Sequence, residues 1–310
     1  MTRFLALLAV AAAVLATWPI LGNYFYADDF DHLLELATFG PRDFILAPNA
    51  GHMYLVRNAV FYLSFLAFDM EPAGYFTGAV ATHGLNALLL FAVIRRLTAD
   101  ALVAGLVAVL FAVSPENPGT LGWYSVYGHA LATTATLIAL LLVAPAPGVP
   151  RPLSRRSAAA AALAMLVASQ CFGTGAAVAI VFPAVAFLLR PELLRTPRSA
   201  ALLAALPLLV LLAWVVMNAI PSRLNPWGAQ GARGLALLAT DYRVVAFMTA
   251  HLLAIGIHTL VLGPAVPLTR YGSPLSIAAV VLFAAAVGGT LLTATRDTRR
   301  RMLALGLAAP

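Results

Sequence analysis

The sequence predicts an all-α membrane protein, a polytopic bundle of about eight to nine transmembrane helices. Its 310 residues are 62% hydrophobic and have a mean hydropathy of +0.92, whereas soluble domains are about 45 to 50% apolar. Several runs approach the ~20 apolar residues that cross the bilayer as a helix, and alternating barrel strands of about ten residues are not visible. We therefore expect one transmembrane domain over residues 1–310.

Apolar runs separated by Arg, Pro and Gly predict the individual helices. They cover residues 4–22, 73–94, 99–113, 126–144, 157–171, 174–190, 200–220, 243–263 and 273–294. The long run is divided at the sequence CFGTG, because one continuous helix there would be about 50 Å long. The final MLALGLAAP has the pattern of a further span that begins and stops short. We therefore expect a short member of a longer family, or a missing C-terminal part.

The arginines predict the orientation of these helices. All 19 cationic side chains are Arg, which together with abundant Ala, Leu and Val indicates a bacterial coding sequence. The breaks that carry them lie at Arg3, 95–96, 151–156, 190–198 and 296–301. Cytoplasmic loops carry such an excess, so we expect a bacterial inner-membrane protein with a cytoplasmic N-terminus. The net charge of +7 then reflects topology, and we expect no nucleic-acid partner.

This orientation gives the outer face a long first loop, 23–72, and two later loops at 114–129 and 221–234. Nine crossings from a cytoplasmic N-terminus would place 296–301 outside, so one predicted run is not a full span. We expect this of 235–263, where Asp, Arg and His interrupt the apolar pattern, as in an interfacial or re-entrant segment.

The first outer loop opens with an acidic cluster in the sequence NYFYADDFDHLLEL. Residues 28–38 are predicted to form a short amphipathic juxtamembrane helix that ends at Gly40-Pro41. Its expected apolar face consists of Phe30, Leu33, Leu34 and Ala37, and its acidic face of Asp28, Asp31 and Glu35. The acids can simply cap the helix and complement its dipole. Alternatively, a carboxylate here acts as a general base, a role that contributes about 10²- to 10⁴-fold in rate.

Five motifs extend this pattern from Tyr26 to Leu142. They are YADDF, GHMYLVRNAVFYLSFLAF, THGLNALLL, RRLT and LFAVSPENPGTLGW. Their order and spacing resemble the fold C family of membrane glycosyltransferases, which contains protein O-mannosyltransferases and aminoarabinose transferases. The resemblance implies that the catalytic base lies in the pair Asp28 and Asp29. It also implies inverting transfer of a sugar from a polyprenyl phosphate to a hydroxyl acceptor on the extracytoplasmic face.

The sequence departs from the family at two places. Related eukaryotic mannosyltransferases begin the second outer loop with His-Pro and carry a Glu soon after, where this chain has Ser114-Pro115 and Gly119. The Ser-Lys-Glu signature found between later spans is replaced by SQCFGTG. The identity of the acceptor and the use of a metal therefore stay open.

Two arginines on the predicted outer face are expected to bind the lipid phosphate of the donor. Arg57 follows the GHMY stretch, and Arg243 lies beside Asp241. A guanidinium binds phosphate oxygens bidentately. The ordinary alternative is an arginine that extends to the lipid headgroups.

Further substrate-binding residues are predicted in the same motifs. His52 and His83 are expected to orient the substrate or contact phosphate, although a lone His on an apolar helix is commonly a hydrogen-bonded core residue. Asp31 and Glu116 complete the predicted set.

A divalent cation is a further possible ligand, with no residues assigned to it. Asp28, Asp31, His32 and Glu35 carry suitable atoms, but their spacing matches no chelating motif.

Two other classes of function remain open. In a transporter or lipid flippase the acids would bind a proton or cation, yet the sequence shows no paired inverted repeats and almost no mid-span acids. A non-catalytic or degenerate membrane partner is consistent with the replaced Lys-Glu signature and the short C-terminus. Membrane lipids are expected partners in every case, and the sequence does not identify the sugar, the acceptor or the oligomeric state.

Overall fold

The structure, a computed structural model, describes residues 1–48, 52–114, 117–145, 152–219 and 273–308, with separate positions between 241 and 255. This described part is helical and contains no strand, so the predicted all-α class is confirmed. The helices are α1 (Thr2–Thr17), α2 (Asp28–Leu46), α3 (Leu55–Phe68), α4 (Pro72–Thr98), α5 (Ala101–Ala112), α6 (Asn117–Leu121), α7 (Gly128–Val143), α8 (Arg155–Ser169), α9 (Gly173–Leu189), α10 (Pro197–Ala204), α11 (Leu206–Ala219), α12 (Pro274–Thr293) and α13 (Arg296–Ala308).

Apolar helices long enough to cross a membrane make the chain an integral membrane protein. Within the described ranges, five segments meet this condition: Thr2–Gly22, Pro72–Thr98, Tyr124–Val143, Pro197–Met217 and Pro274–Thr293. Shorter apolar helices accompany them at Leu55–Phe68, Ala101–Ala112 and Gly173–Leu189.

Small residues allow the central helices to pack closely. α7 packs against α4 and α8, α8 packs against α9, and α1 packs against α4 and α5. The buried face of α8 carries Ala158, Ala161, Ala162, Met165 and Ala168. Alanine and glycine at a helix contact allow the two helix backbones to approach each other closely. In lipid, where no hydrophobic effect drives helices together, this close packing contributes to their association.

The turn between α8 and α9 confirms the predicted division at CFGTG. A Cβ added at Gly175 would overlap the Ala168 carbonyl, and one added at Gly128 would overlap the Cys171 carbonyl. Glycine is therefore required at both positions, because the α7 and α9 backbones lie directly against this turn.

The C-terminal described segment returns to the bundle. The Arg301 guanidinium donates to the Leu97 carbonyl at the C-terminal end of α4. α13 packs along α9, with Ala304 and Ala308 buried. The arginine-rich 296–301 therefore lies at the same end of the bundle as Arg95 and Arg96.

Residues 23–71 contain α2 and α3, which pack on each other, and α3 also packs on α4. The backbone of α2 breaks at Gly40 (φ 80°, ψ 170°), as the Gly40-Pro41 pair predicted, and a short helical stretch continues to Leu46. Of the predicted apolar stripe of α2, Leu33 is buried, whereas Phe30 is 46% and Leu34 65% exposed, so the stripe does not lie wholly against the protein.

The buried face of α2 instead includes Asp29, His32, Leu33 and Leu36. These residues follow the i, i+3, i+4, i+7 spacing of a single helical stripe. Two polar side chains therefore point toward the protein interior.

Candidate functional site

The candidate site begins at the sharp turn that starts α2. Ala27 has φ 46° and ψ −118°, a backbone conformation that side chains with a Cβ rarely adopt and that costs about 1 to 3 kcal/mol. The Tyr26 amide donates to Asp29 Oδ2 at 3.0 Å. The turn places Asp28, Asp29 and Asp31 in the first helical turn, where the partial positive charge of a helix N-terminus favours carboxylates.

Asp29 joins the first outer loop to the second. Its side chain is 0% exposed, and Oδ1 accepts from the Ser125 amide at 2.6 Å and the Ser125 hydroxyl at 2.5 Å. With the Tyr26 amide, three donors hold this carboxylate in one orientation. Asp29 is therefore engaged within the protein, 96 positions away from its partner in sequence.

Asp28 differs from Asp29 in exposure. Asp28 is the first residue of α2 and its side chain is exposed, as is that of Asp31 one turn later. A carboxylate that acts on a substrate must be accessible to it. Of the pair predicted to contain the base, Asp28 has the exposure that the role requires.

His32 lies one turn into α2 and links two charged side chains. Its Nε2 is 2.9 Å from Arg57 Nη2, and its Nδ1 is 3.1 Å from Glu35 Oε2. A guanidinium only donates, so Nε2 accepts and Nδ1–H donates to Glu35. Burial lowers the pKa of His32, the Glu35 hydrogen bond opposes this shift and the Arg57 cation adds to it. His32 is therefore neutral at pH 7.

Arg57 is buried at the start of α3, with 3% of its surface exposed. Its guanidinium carbon lies 4.3 Å from the centre of the Tyr54 ring, a cation–π contact. Burial lowers the pKa of Arg57 to about 10, so the side chain is a cation at neutral pH. Its Nε and Nη1 are buried and have no hydrogen-bond partner among the residues that the structure describes. Such groups are rare in folded proteins, and each calls for an explanation.

His52 belongs to an aromatic cluster formed with Tyr54, Phe172 and His129. The His52 ring stacks on Phe172 at 5.5 Å between centroids, and His129 approaches the same ring at 3.8 Å. Tyr54 contacts both His52 and Phe172. Burial lowers the pKa of His52. The cluster joins the Arg57 environment to the N-terminal ends of α7 and α9.

His83 lies apart from the acidic loop, in a cavity of about 360 Å³ that we call the outer cavity. The outer cavity is lined by His83, Asn86, Phe111, Asn117, Thr120, Leu121, His129, Ala130, Thr133 and Thr174. The His83 Nε2–H donates to the Ala112 carbonyl at 3.0 Å. His83 is thus both a hydrogen-bonded core residue and part of a cavity wall.

Two predicted residues remain. Glu116 lies outside the described residues. Arg243 is exposed, in a stretch described only at separate positions. In the described ranges, no group of three or more His, Cys, Asp or Glu side chains converges as a metal site. The divalent cation stays a prediction without assigned ligands.

Sequence reasoning missed Ser125, Tyr54 and Phe172 as parts of the site. Ser125 and Phe172 reach it only through tertiary contacts, and no local pattern marks them. The inward role of His32 did have a signal, because it shares a helical stripe with Asp29 and two leucines.

No protein-family model, curated protein or solved structure matches this chain. The geometry of the site therefore carries the functional argument.

Proposed function

We propose that the protein is a fold C membrane glycosyltransferase. It moves a sugar from a polyprenyl-phosphate donor to a hydroxyl acceptor on the extracytoplasmic face, with inversion. One observation supports this most strongly: a buried Arg57 with two donors that no described residue uses, bonded through His32 to the helix that begins with Asp28. A cation with such donors, linked through one helix to an exposed carboxylate, suits transfer from a lipid phosphate.

Arg57 binds the phosphate of the donor in this proposal. Its Nε and Nη1 are unused by the described residues, and each can donate a charge-assisted hydrogen bond to a phosphate oxygen. Low water content around the buried group strengthens its attraction for the anion. The same contact stabilises the negative charge that grows on the phosphate as it leaves.

Asp28 acts as the general base. It removes the proton of the acceptor hydroxyl, whose oxygen attacks the anomeric carbon from the face opposite the phosphate. The bond between that carbon and the phosphate oxygen breaks, and the electron pair leaves with the polyprenyl phosphate. One displacement inverts the anomeric centre. Asp29 acts as a positioning residue through Ser125, and His32 with Glu35 orients Arg57.

We also propose eight crossings, by α1, α4, α5, α7, α8, α9, the α10–α11 pair and α12. The N-terminus is then cytoplasmic in a bacterial inner membrane, and 23–71 lies outside. The contact of Arg301 with Leu97 supports this topology, because it gathers arginine-rich ends on one side, as cytoplasmic ends are in bacterial membranes.

The test is sugar transfer by purified protein in proteoliposomes. The donors are short-chain polyprenyl-phosphate sugars with ¹⁴C-labelled mannose, glucose, galactose or arabinose, and octyl glycosides serve as acceptors. We expect transfer by the wild type and a loss of about 10²- to 10⁴-fold in Asp28→Asn. Asp43→Asn, a carboxylate of the same loop outside the site, serves as the matched control.

Transfer by Asp28→Asn at the wild-type rate would remove Asp28 as the base. Absence of transfer from every donor in the wild type would instead favour a non-catalytic membrane partner.

A further inference from the structure

The outer cavity is separate in composition from the charged site around Arg57. Seven of its ten lining residues carry polar side chains: His83, Asn86, Asn117, Thr120, His129, Thr133 and Thr174. None of the described lining residues is an acid or an arginine. Its volume of about 360 Å³ falls within the roughly 300 to 1,000 Å³ of ligand pockets.

This composition selects among classes of ligand. An anion would be buried without a counter-charge from the described wall, and a cation would lack a carboxylate, which is costly in both cases. Several wall amides and hydroxyls bond within the protein: Asn86 donates to the Ala130 carbonyl, Asn117 to the Phe111 carbonyl and Thr133 to the His129 carbonyl. An apolar chain would still leave one nitrogen of each wall imidazole without a partner. An uncharged molecule with hydroxyl groups avoids these costs, because each hydroxyl both donates and accepts.

The histidines of the wall retain free hydrogen-bonding capacity. His83 uses Nε2–H on the Ala112 carbonyl, which leaves Nδ1 of the neutral ring as an acceptor. His129 uses Nδ1 on the Thr174 hydroxyl at 3.0 Å, which leaves Nε2. One side of the His129 ring packs on Phe172, which holds the imidazole in place.

The outer cavity also shares a loop with the acidic cluster. Residues 122–125 connect Thr120 on one wall to His129 on another, and three contacts tie them to the start of α2. Asn23 Nδ2 donates to the Gly122 carbonyl at 3.4 Å, Tyr26 meets Trp123 at 5.9 Å between rings, and Asp29 bonds Ser125. The segment that carries Asp28 thus packs directly on the loop that completes the cavity.

We propose that the outer cavity binds the acceptor, and that the acceptor is an uncharged, hydroxyl-rich molecule, a sugar or polyol. The role of acceptor rests on the proposed transferase function, whereas binding of such a molecule does not. A peptide with charged side chains or a phosphorylated glycan does not fit this wall.

Protection of a single cysteine from alkylation tests the proposal without any donor. In a Cys171→Ser background, Thr133→Cys places a thiol in the cavity wall. Ile138→Cys is the control: it places a thiol on the same helix but not in the cavity lining, at a position that is 40% exposed. The probe is octyl β-D-glucoside, and octyl tetraethylene glycol ether is the control with the same chain but no sugar. The reaction with N-ethylmaleimide is followed by mass spectrometry.

We expect the glucoside, at about ten times its dissociation constant, to slow alkylation of Thr133→Cys about tenfold. Ile138→Cys should react at one rate throughout, and the ether should protect neither variant. His129→Ala in the Thr133→Cys background should raise the half-protecting concentration about fivefold to tenfold. Thr120→Cys reports from the opposite wall if Thr133→Cys does not fold.

Equal protection by the ether would show that the cavity takes an alkyl chain, and no protection at either wall position would show that it takes no sugar. Both results would overturn the proposal. Sugar transfer with an unprotected cavity would leave the transferase function standing, with its acceptor bound elsewhere. Protection without transfer would retain the binding site and remove its role as an acceptor site.

Discussion

Arg57 and Arg190 are both buried arginines at helix ends, yet they use their donors differently. Arg190 is 6% exposed; its Nε donates to the Val143 carbonyl at 2.7 Å, Nη2 to the Ala144 carbonyl at 3.1 Å and Nη1 to Glu192 at 3.1 Å. Arg57 has one such bond, to His32, and two nitrogens without a described partner.

Under the proposed function, this difference separates a structural arginine, Arg190, from a ligand-binding one, Arg57. The donors of Arg190 satisfy carbonyls at the C-terminal end of α7, which would otherwise lack partners. Arg57 is held in place by Tyr54 and His32, while no described residue uses its Nε and Nη1 donors. We therefore expect changes at Arg190 to affect stability and changes at Arg57 to affect ligand binding.

The largest expected effect on stability is that of Arg190→Met. Two carbonyls and the Glu192 carboxylate lose their donor, so the free energy of unfolding should fall by about 3 kcal/mol. Unfolding by sodium dodecyl sulfate in mixed micelles measures it. Arg195→Met, at an exposed position nearby, should change it by less than about 0.5 kcal/mol. Equal losses in the two variants would refute the structural role of Arg190.

Asp29→Asn should have the next largest effect. An amide presents donors to at least one of the three groups that now donate to the carboxylate, so we expect a loss of about 2 kcal/mol. Asp31→Asn, exposed on the same helix, should leave stability within about 0.5 kcal/mol. A double-mutant cycle with Ser125→Ala measures the coupling. Strictly additive effects would mean that the contact with Ser125 does not stabilise the fold.

His32 should make stability depend on pH. Its pKa is lower in the folded protein than in the unfolded chain, so below about pH 6.5 the unfolded chain binds the proton first. The free energy of unfolding should then fall on acidification, by at most about 1.4 kcal/mol per pH unit from this group. His32→Gln, which can still accept from Arg57 and donate to Glu35, should lose this component. Identical profiles from pH 8 to 5 would contradict the neutral state of His32.

The smallest expected effect on stability is that of Arg57→Met. The change removes one hydrogen bond but also a desolvated charge and two unpartnered donors, so the unfolding free energy should stay within about 1 kcal/mol of wild type. The same unfolding assay applies. A loss as large as that of Arg190→Met would end the distinction between the two arginines.

Hydropathy, together with the Gly and Pro residues between apolar runs, predicts much of this fold. They identify the all-α class, the division before α9 and the break of α2 at Gly40, because each depends on local composition. They do not distinguish the buried Asp29 from the exposed Asp28 and Asp31 of the same helix. Asp29 is inside because Ser125, distant in sequence, supplies two donors.

The candidate site is also predictable in its local features and not in its tertiary contacts. The acidic cluster and Arg57 are visible in the sequence as charges in an apolar chain. Their different roles depend on exposure and on hydrogen-bond partners, which only tertiary contacts determine. The outer cavity has no local signal, because its walls come from α4, α5, α6, α7 and α9.

The proposed mechanism depends on the binding of a lipid phosphate by Arg57. The direct measurement is mass spectrometry of lipids that co-purify in mild detergent with the wild type, with Arg57→Met and with Arg42→Met, a matched change of an exposed arginine in the same loop. We expect a polyprenyl phosphate or its sugar conjugate on the wild type and on Arg42→Met, and at least about tenfold less on Arg57→Met, because charge-assisted hydrogen bonds to the phosphate are lost. Equal retention by Arg57→Met, or ordinary phospholipids alone in all three samples, would contradict it.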